Sequence, residues 1–306
     1  MNLYRKYRPQ TLADMYGNEA ELESFEKILA RADKPQTYLL TGPSGCGKTT
    51  LARIAARQLG ADDLSITEIN SADNRGIDTA RDIIQNMRYQ PPTASAKVYI
   101  IDEFHQVSKA AQEALLKPLE DTPSHVYFFI CTTNPSKVIN AIKTRCTQIK
   151  LNALKPELLY RLVKRICKKE GYELSKDILE DLCDNCNGSP RTALVLLEKI
   201  CELTDEKTMQ ELIQIGEEAD ADVIELCRAL LNEKNWKPVA DALRKLQTHD
   251  IEKIRYAVLG YMNSVLTKNG KNQVRAACVI DSFKMPFYDS GKAGLALACY
   301  ESLFAE

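Results

Sequence analysis

Apolar and polar positions fall into two regimes along this chain. In the first half, short apolar runs alternate with segments of helical spacing. Thr37-Tyr38-Leu39-Leu40-Thr41 is β-rich and apolar, and Leu51, Ile54, Ala55 and Leu59 follow it at the spacing of one helix face. Ser65 to Asn70 reads as a second strand, and the helix expected from Ile77 to Met87 is closed by Pro91 and Pro92. Val98-Tyr99-Ile100-Ile101 and Val126 to Cys131 are continuous apolar runs, the pattern of strands buried on both faces of a parallel sheet. Thr147 to Leu151 gives a last strand. A helix from Asn18 to Ala30 carries Leu22, Phe25, Ile28 and Leu29 on one face. Ser108 can cap another that runs to Glu120, with a kink or early end at Pro118. Strands alternating with helices predict an α/β fold with a doubly wound parallel sheet.

From Pro156 the pattern becomes wholly helical. Leu158-Leu159-Leu162-Val163-Ile166, Ile178-Leu179-Leu182 and Ala193-Leu194-Leu197-Ile200 are amphipathic, and Gly188-Ser189-Pro190 breaks the last from its predecessor. Further helices are expected near Ala221–Leu231, Pro238–Leu246, Ile251–Thr267, Val274–Phe283 and Ser290–Phe304. A bundle, not a chemical site, is the reading for this tail.

Bulk composition narrows the class. A chain of 306 residues has room for two or three domains, and 44% hydrophobic with 27% charged residues is ordinary for a globular protein. A net charge of −1 gives no global attraction to nucleic acid, so any such contact needs a local basic face. Acidic and basic residues nearly balance from Gly216 onward, which argues against a basic DNA clamp there. With no signal peptide and no long apolar run, a reduced, cytoplasmic setting is expected, or a host's cytoplasm if the source is viral, with no membrane partner. The ten cysteines are scattered; Cys183 and Cys186 form one C-x-x-C inside a helical pattern, which reads as a structural pair sooner than a metal site.

The chemistry concentrates in Gly42-Pro43-Ser44-Gly45-Cys46-Gly47-Lys48-Thr49, which fits the polyphosphate loop G-x-x-x-x-G-K-[ST] and is followed by Thr50. Glycines let the backbone turn its N–H groups inward, and the following helix start adds positive charge. Lys48 would reach the β and γ oxygens, and Thr49 would ligate Mg²⁺. The strand, loop, helix order required by the motif is present. Downstream, Asp102 and Glu103 end an apolar strand. Asp102 is placed to hold Mg²⁺ and Glu103 to polarise an attacking water.

Asp102-Glu103-Phe104-His105, with Ala114-Leu115-Leu116-Lys117-Pro118-Leu119-Glu120 after it, resembles the AAA+ subunits of clamp loaders. The tau/gamma subunit of bacterial DNA polymerase III and the small subunits of replication factor C are close by pattern, and phage clamp loaders by length. Arg5 to Asp14, His125 to Asn134 and Thr144-Arg145-Cys146 are similar to both groups, and Asn70 to Asp78 resembles the replication factor C side. The resemblance covers about residues 4–200 and implies an AAA+ domain at 1–152, a helical lid at 153–212 and an all-α collar at 213–306. It implies ATP and Mg²⁺ as ligands. Implied partners are other loader subunits, identical or different, a ring-shaped sliding clamp, primer–template DNA and, indirectly, the replicative polymerase.

The same resemblance assigns roles. Asn134 matches sensor 1, which bonds the γ-phosphate or the water; read alone, it is a turn asparagine. Arg145 matches the finger that reaches a neighbour's ATP; read alone, it is a surface arginine. Arg191 matches the lid cation called sensor 2, and Arg8-Pro9 the segment lying against adenine. Arg75, Arg81, Lys109 and Lys117 are the candidates for DNA phosphates. Three departures stand out. The bacterial relatives carry a cysteine-built zinc module before the acidic strand, whereas Cys46 is alone before Cys131, so zinc is not expected. Pro118 replaces a helix-compatible residue, and the chain ends without the long extension of tau. The expected activity is ATP hydrolysis by a clamp-loader subunit. The alternatives are another AAA+ motor, such as a branch-migration helicase, or a structural subunit that binds nucleotide without catalysis.

Overall fold

A computed structural model of the chain describes residues 2–72, 75–215, 221–246, 250–267, 272–287 and 290–304. Two members of the Asn70–Asp78 run, Asp73 and Asn74, lie outside the described residues. The chain divides into two compact units, residues 3–162 with 187–191 and residues 163–186 with 192–306.

Five strands form one sheet in the first unit: β1 (Thr37–Thr41), β2 (Ile66–Asn70), β3 (Lys97–Asp102), β4 (Val126–Thr132) and β5 (Thr147–Lys150). All pairings are parallel, in the order β2-β3-β4-β1-β5. Around the sheet lie α1 (Leu3–Lys6), α2 (Glu19–Leu29), α3 (Lys48–Gln58), α4 (Ile77–Asn86), α5 (Lys109–Ala114), α6 (Leu116–Glu120) and α7 (Asn140–Lys143). The two-residue period of the strands builds two cores. Tyr38, Leu40, Val98, Ile100, Phe129 and Cys131 point to one face, with Phe25 of α2 and Leu51 and Ile54 of α3. Leu39, Tyr99, Ile101, Phe128 and Ile130 point to the other, with Ala80 and Ile83 of α4 and Ala111 of α5. Aromatic rings anchor both. Tyr38 stacks on Phe129 at 5.0 Å with Phe25 edge-on at 5.6 Å, and Tyr99 stacks on Phe128 at 5.3 Å across the sheet.

The helix starts and stops follow local chemistry. Asn18 precedes α2 in a left-handed conformation and its side chain, which makes no cap bond to the helix, clasps Asn152 instead, its Oδ1 accepting the Asn152 N–H at 2.7 Å and its Nδ2 donating to the Asn152 carbonyl at 3.2 Å. Ser108 Oγ accepts the Ala111 N–H at 3.2 Å and starts α5. The expected helix to Glu120 is broken, but at Leu115 and not at Pro118. Proline lacks the N–H that would bond the carbonyl of Ala114, four residues back, and its ring crowds that carbonyl, so the break is displaced upstream. At the N-terminal end, Arg5 and Lys6 form the last turn of the short helix α1, in which Leu3 is buried.

The second unit is helical: the rest of α8 (Pro156–Glu170) from Val163, α9 (Lys176–Asn185), α10 (Pro190–Ile200) from Thr192, α11 (Glu206–Ile215), α12 (Ala221–Asn232), α13 (Trp236–Lys245), α14 (Ile251–Thr267), α15 (Gln273–Phe283) and α16 (Gly291–Phe304). The spacing did not single out α11, whose Met209, Leu212 and Ile213 are buried. On α14 the nearly buried Arg255 pairs with Glu252 at 2.7 Å and donates to the Phe283 carbonyl at 3.3 Å, tying α14 to the end of α15. All ten cysteines are free thiols. Burial pushes Cys183 up to about 12, so Cys183 and Cys186, both buried, serve as packing groups. No described helix is long and apolar enough to cross a membrane.

Replacing Phe129 by Ala removes the ring on which Tyr38 and Phe25 rest, and should lower the unfolding free energy by about 3–5 kcal/mol in denaturant titrations. Leu64→Ala, at a side chain 88% exposed, should stay within about 0.5 kcal/mol.

Candidate functional site

The site lies at the carboxyl ends of the strands, where a parallel sheet gathers the loops that leave it. Thr41 opposes Thr132, and Asn70 opposes Asp102, so β1, β2, β3 and β4 all end along one edge. The chain leaves β1 through Gly42–Gly47 and enters α3 at Lys48, with Gly47 at φ 103° capping the helix. Gly45, at φ 71°, is forced by space as well as by backbone: a Cβ there would sit 2.1 Å from Ser189 Oγ and 3.3 Å from Arg191 Cβ. The turn 187–191 therefore packs directly against the loop, which brings Arg191 to it.

Lys48 is buried to 5% exposure, and its ammonium donates to the carbonyls of Gly42 at 3.0 Å and Pro43 at 2.7 Å. A buried cation held by neutral carbonyls at a helix start is the arrangement that an anion completes. One residue on, Thr49 Oγ1 donates to Asp102 Oδ2 at 2.6 Å, and Asp102 Oδ1 accepts the Glu103 N–H at 2.9 Å. The hydroxyl and the carboxylate are hard oxygen donors suited to Mg²⁺, which typically takes one or two protein oxygens and completes its shell with water and phosphate. Among the described residues no group of three or more His, Cys, Asp or Glu is placed to hold a metal ion by itself. Burial raises the Cys46 thiol above its ordinary value against the opposing charge of Lys48, and raises Cys131 further, so neither is a nucleophile.

Other expected residues gather around this centre. Asn134 follows β4, its Oδ1 accepting the Ser136 N–H at 3.2 Å and its own N–H donating to Thr132 Oγ1 at 3.1 Å. Arg191 lies over the Tyr4 ring at 5.4 Å. Burial lowers the Arg8 guanidinium, helped by Arg53 and Arg191 and opposed by Glu68 and Tyr4, so a cationic cluster stands beside the loop with Arg53 paired to Glu68. Pro9, next to Arg8, is half-buried.

Arg145 stands apart. It precedes β5, and its carbonyl accepts from Thr37 Oγ1 at 2.7 Å, at the start of β1. Its guanidinium bonds Glu120 at 3.0 Å and the Ala141 carbonyl at 2.9 Å, and the residue is exposed. β1 lies between Thr37 and the loop, a separation of about 13 Å for four strand steps. The finger candidate and its own phosphate loop thus occupy opposite edges of one sheet.

The four cationic DNA candidates are exposed. The Ser108 N–H donates to the Arg75 carbonyl at 3.1 Å, which sets the starts of α4 and α5 side by side. Arg75 and Lys109 stand next to these two helix starts. Arg81 pairs with Asp78 at 2.9 Å on α4, and Lys117 lies beyond the break at Leu115.

Sequence reasoning assigned no role to Gln112, 3% exposed. Its amide nitrogen donates to the carbonyls of Val107 at 3.1 Å and Lys137 at 3.2 Å, and its oxygen accepts the Ile139 N–H at 3.0 Å, binding α5 to the segment after β4. A polar residue on the buried face of a helix, beside Ala111, was the available signal.

Sheet order, phosphate loop and acidic strand end together define a P-loop nucleotide-binding domain of the AAA+ class. Residues 60–155 match the family described as DNA polymerase III, delta subunit, and residues 161–201 match the RCF1/5-like AAA+ ATPase lid domain. Among curated proteins, the DNA polymerase III subunit gamma of Buchnera aphidicola is 33% identical over 66% of this chain and 61% of its own length. The tau subunit of Escherichia coli is 30% identical over 82% of this chain and 42% of its own length. The gamma/tau subunit of Mycobacterium tuberculosis is 31% identical over 65% and 39%. The chain is similar to the DNA polymerase III gamma/tau subunits, and spans about 40 to 60% of the length of these relatives. Among solved structures, the Holliday junction branch migration motor RuvB of Thermotoga maritima matches with TM-score 0.55 at 19% identity, covering 81% of this chain and 90% of that one. At that identity the likeness is one of fold.

Gly45→Ala should disturb the loop and the turn 187–191 together. Calorimetry should show a loss of about 1–3 kcal/mol, with weakened binding of a fluorescent ATP analogue.

Proposed function

We propose that this chain is an ATPase subunit of a DNA sliding-clamp loader, which uses ATP binding and hydrolysis to open a ring clamp and place it on primed DNA. The observation that carries the reading is the separation of Arg145 from its own phosphate loop, alongside Lys48, Thr49, Asp102 and Glu103 gathered at the other edge. An exposed arginine on the far side of the sheet is out of reach of its own phosphate loop and is placed to serve a neighbour's nucleotide. The site is then complete only in an assembly of subunits, which the kinship with gamma/tau subunits supports.

In this reading Lys48 and the loop amides of Gly42, Pro43, Ser44, Gly45, Cys46 and Gly47 hold the phosphates, with Thr50 in the first turn of α3. Arg8 and Pro9 border the base. Bound through Thr49 and Asp102, Mg²⁺ supplies neutralisation of the charge that builds on the phosphates. Glu103 polarises the water, and Asn134 orients it or the γ-phosphate. Arg191 meets the γ-phosphate from the turn 187–191. Arg145 of a neighbouring subunit neutralises the transition state, a contribution of about 10³–10⁵ in rate. Arg75, Arg81, Lys109 and Lys117 take DNA phosphates without reading bases, aided by the amides at Gly76 and Ile77. A nucleotide-binding domain at 1–152, a lid at 153–212 and an oligomerising collar at 213–306 are part of the same proposal, as is a cytoplasmic setting.

Mixing Lys48→Ala with Arg145→Ala protein tests this. Each variant alone should have little ATPase activity, and the mixture should regain part of it, because an intact loop then faces an intact arginine. Primer–template DNA with clamp should raise the rate of the wild type. No recovery in the mixture, together with an unchanged rate on adding DNA and clamp, would contradict the proposal.

A further inference from the structure

Glu103 stands in the left-handed region, at φ 49° and ψ 42°. For a residue with a side chain, that conformation costs about 1–3 kcal/mol and persists where the surroundings impose it. The imposed contacts are visible. Its Oε2 lies 3.3 Å from Thr133 Oγ1 and 3.3 Å from His105 Nδ1. The carboxylate is thereby held against the end of β4, away from the free rotation expected of a glutamate at a strand end.

The imidazole of His105 is well enclosed, 13% exposed. Its Nε2 lies 3.2 Å from Gln106 Nε2. An amide nitrogen is a donor only, so Nε2 accepts, and the ring hydrogen of the neutral imidazole sits on Nδ1. Nδ1 faces Glu103 Oε2, Thr132 Oγ1 at 3.3 Å and Thr133 Oγ1 at 3.5 Å. Nδ1–H is therefore shared by the Thr132 and Thr133 hydroxyls, and Thr133 Oγ1 in turn donates to Glu103 Oε2. Thr132 Oγ1 also accepts the Asn134 N–H. One continuous line of contacts therefore runs from Asn134 through Thr132, His105 and Thr133 to Glu103.

We infer that His105 is a positioning residue for ATP hydrolysis: its Nδ1–H holds the Thr133 hydroxyl that fixes the Glu103 carboxylate, Gln106 sets the tautomer, and Thr132 ties the ring to the loop carrying Asn134. The inference rests on the reading of Glu103 as the group that polarises water. The line of contacts is a reason for the two residues that meet the water to move as one.

Steady-state ATPase kinetics in the subunit assembly, with equilibrium binding of a fluorescent ATP analogue, test it. His105→Asn places an amide nitrogen where Nδ1 stands, and His105→Gln places one where Nε2 stands. His105→Ala should lower kcat by about 10–100-fold, the scale of a misplaced catalytic group. KM for ATP and analogue affinity should stay within about twofold, since ground-state binding is untouched. His105→Asn should recover to within about threefold of the wild type, and His105→Gln should remain with Ala. A wild-type kcat in His105→Ala while Glu103→Gln loses turnover would overturn the inference alone. So would equal recovery by Asn and Gln, a comparison that decides even if the alanine variant does not fold. Full turnover in Glu103→Gln would remove the Glu103 reading itself.

Discussion

A buried ammonium at the start of α3 is the constraint around which this protein is arranged. Lys48 is almost fully enclosed, and the groups that hold it are the Gly42 and Pro43 carbonyls of its own loop. A cation in that position is costly unless charge of opposite sign arrives, and the neighbouring helix start and inward-turning amides ask for the same charge. The surrounding architecture serves that demand. The parallel sheet aligns Asp102 beside Thr49, the turn 187–191 seals the loop at Gly45, and the aromatic stacks beneath keep strand ends from shifting.

The two edges of the sheet divide the work. The carboxyl edge carries the loop, the acidic pair and Asn134; the amino edge carries Arg145, braced by Glu120. Because β1 is an interior strand buried from Thr37 to Leu40, the two edges are held at a fixed distance within one subunit. A chain built this way keeps Arg145 and its own phosphate loop apart. Gln112 adds a second rigid link, joining the helix that starts near Arg75 to the segment after Asn134. Both links are made of buried hydrogen bonds or packed strands, which hold one geometry instead of deforming gradually.

Much of this was legible from residue order. The continuous apolar runs gave β1, β3 and β4, because those strands are buried on both faces, and the glycine spacing gave the loop, because no side chain fits at Gly45 against Ser189. The C-terminal helices were found within a residue or two because their apolar faces recur at helical spacing. What escaped depended on distance in space. Arg145 was recognised by its neighbours in sequence, but its place at the opposite edge follows from strand order, which no local pattern encodes. The left-handed turn at Glu103 is held by contacts with Thr133 beyond the end of β4, and the tautomer of His105 depends on Gln106. The break at Leu115 lies upstream of the proline that causes it. α11 was missed because its polar residues, Glu206, Lys207, Gln210 and Glu211, dilute the apolar stripe.

The central claim, that the Lys48 cation exists to meet polyphosphate, is tested most directly by the thermal stability of Lys48→Met with and without Mg·ATP. Methionine fills similar volume without charge, and replacing a buried charge by an apolar group is often neutral or stabilising. The account predicts a melting temperature for the unliganded variant equal to or above that of wild type. It also predicts loss of the upward shift that saturating Mg·ATP gives the wild type. A variant that melts well below the wild type yet is still stabilised by Mg·ATP would mean that Lys48 is a structural group, and would contradict the account.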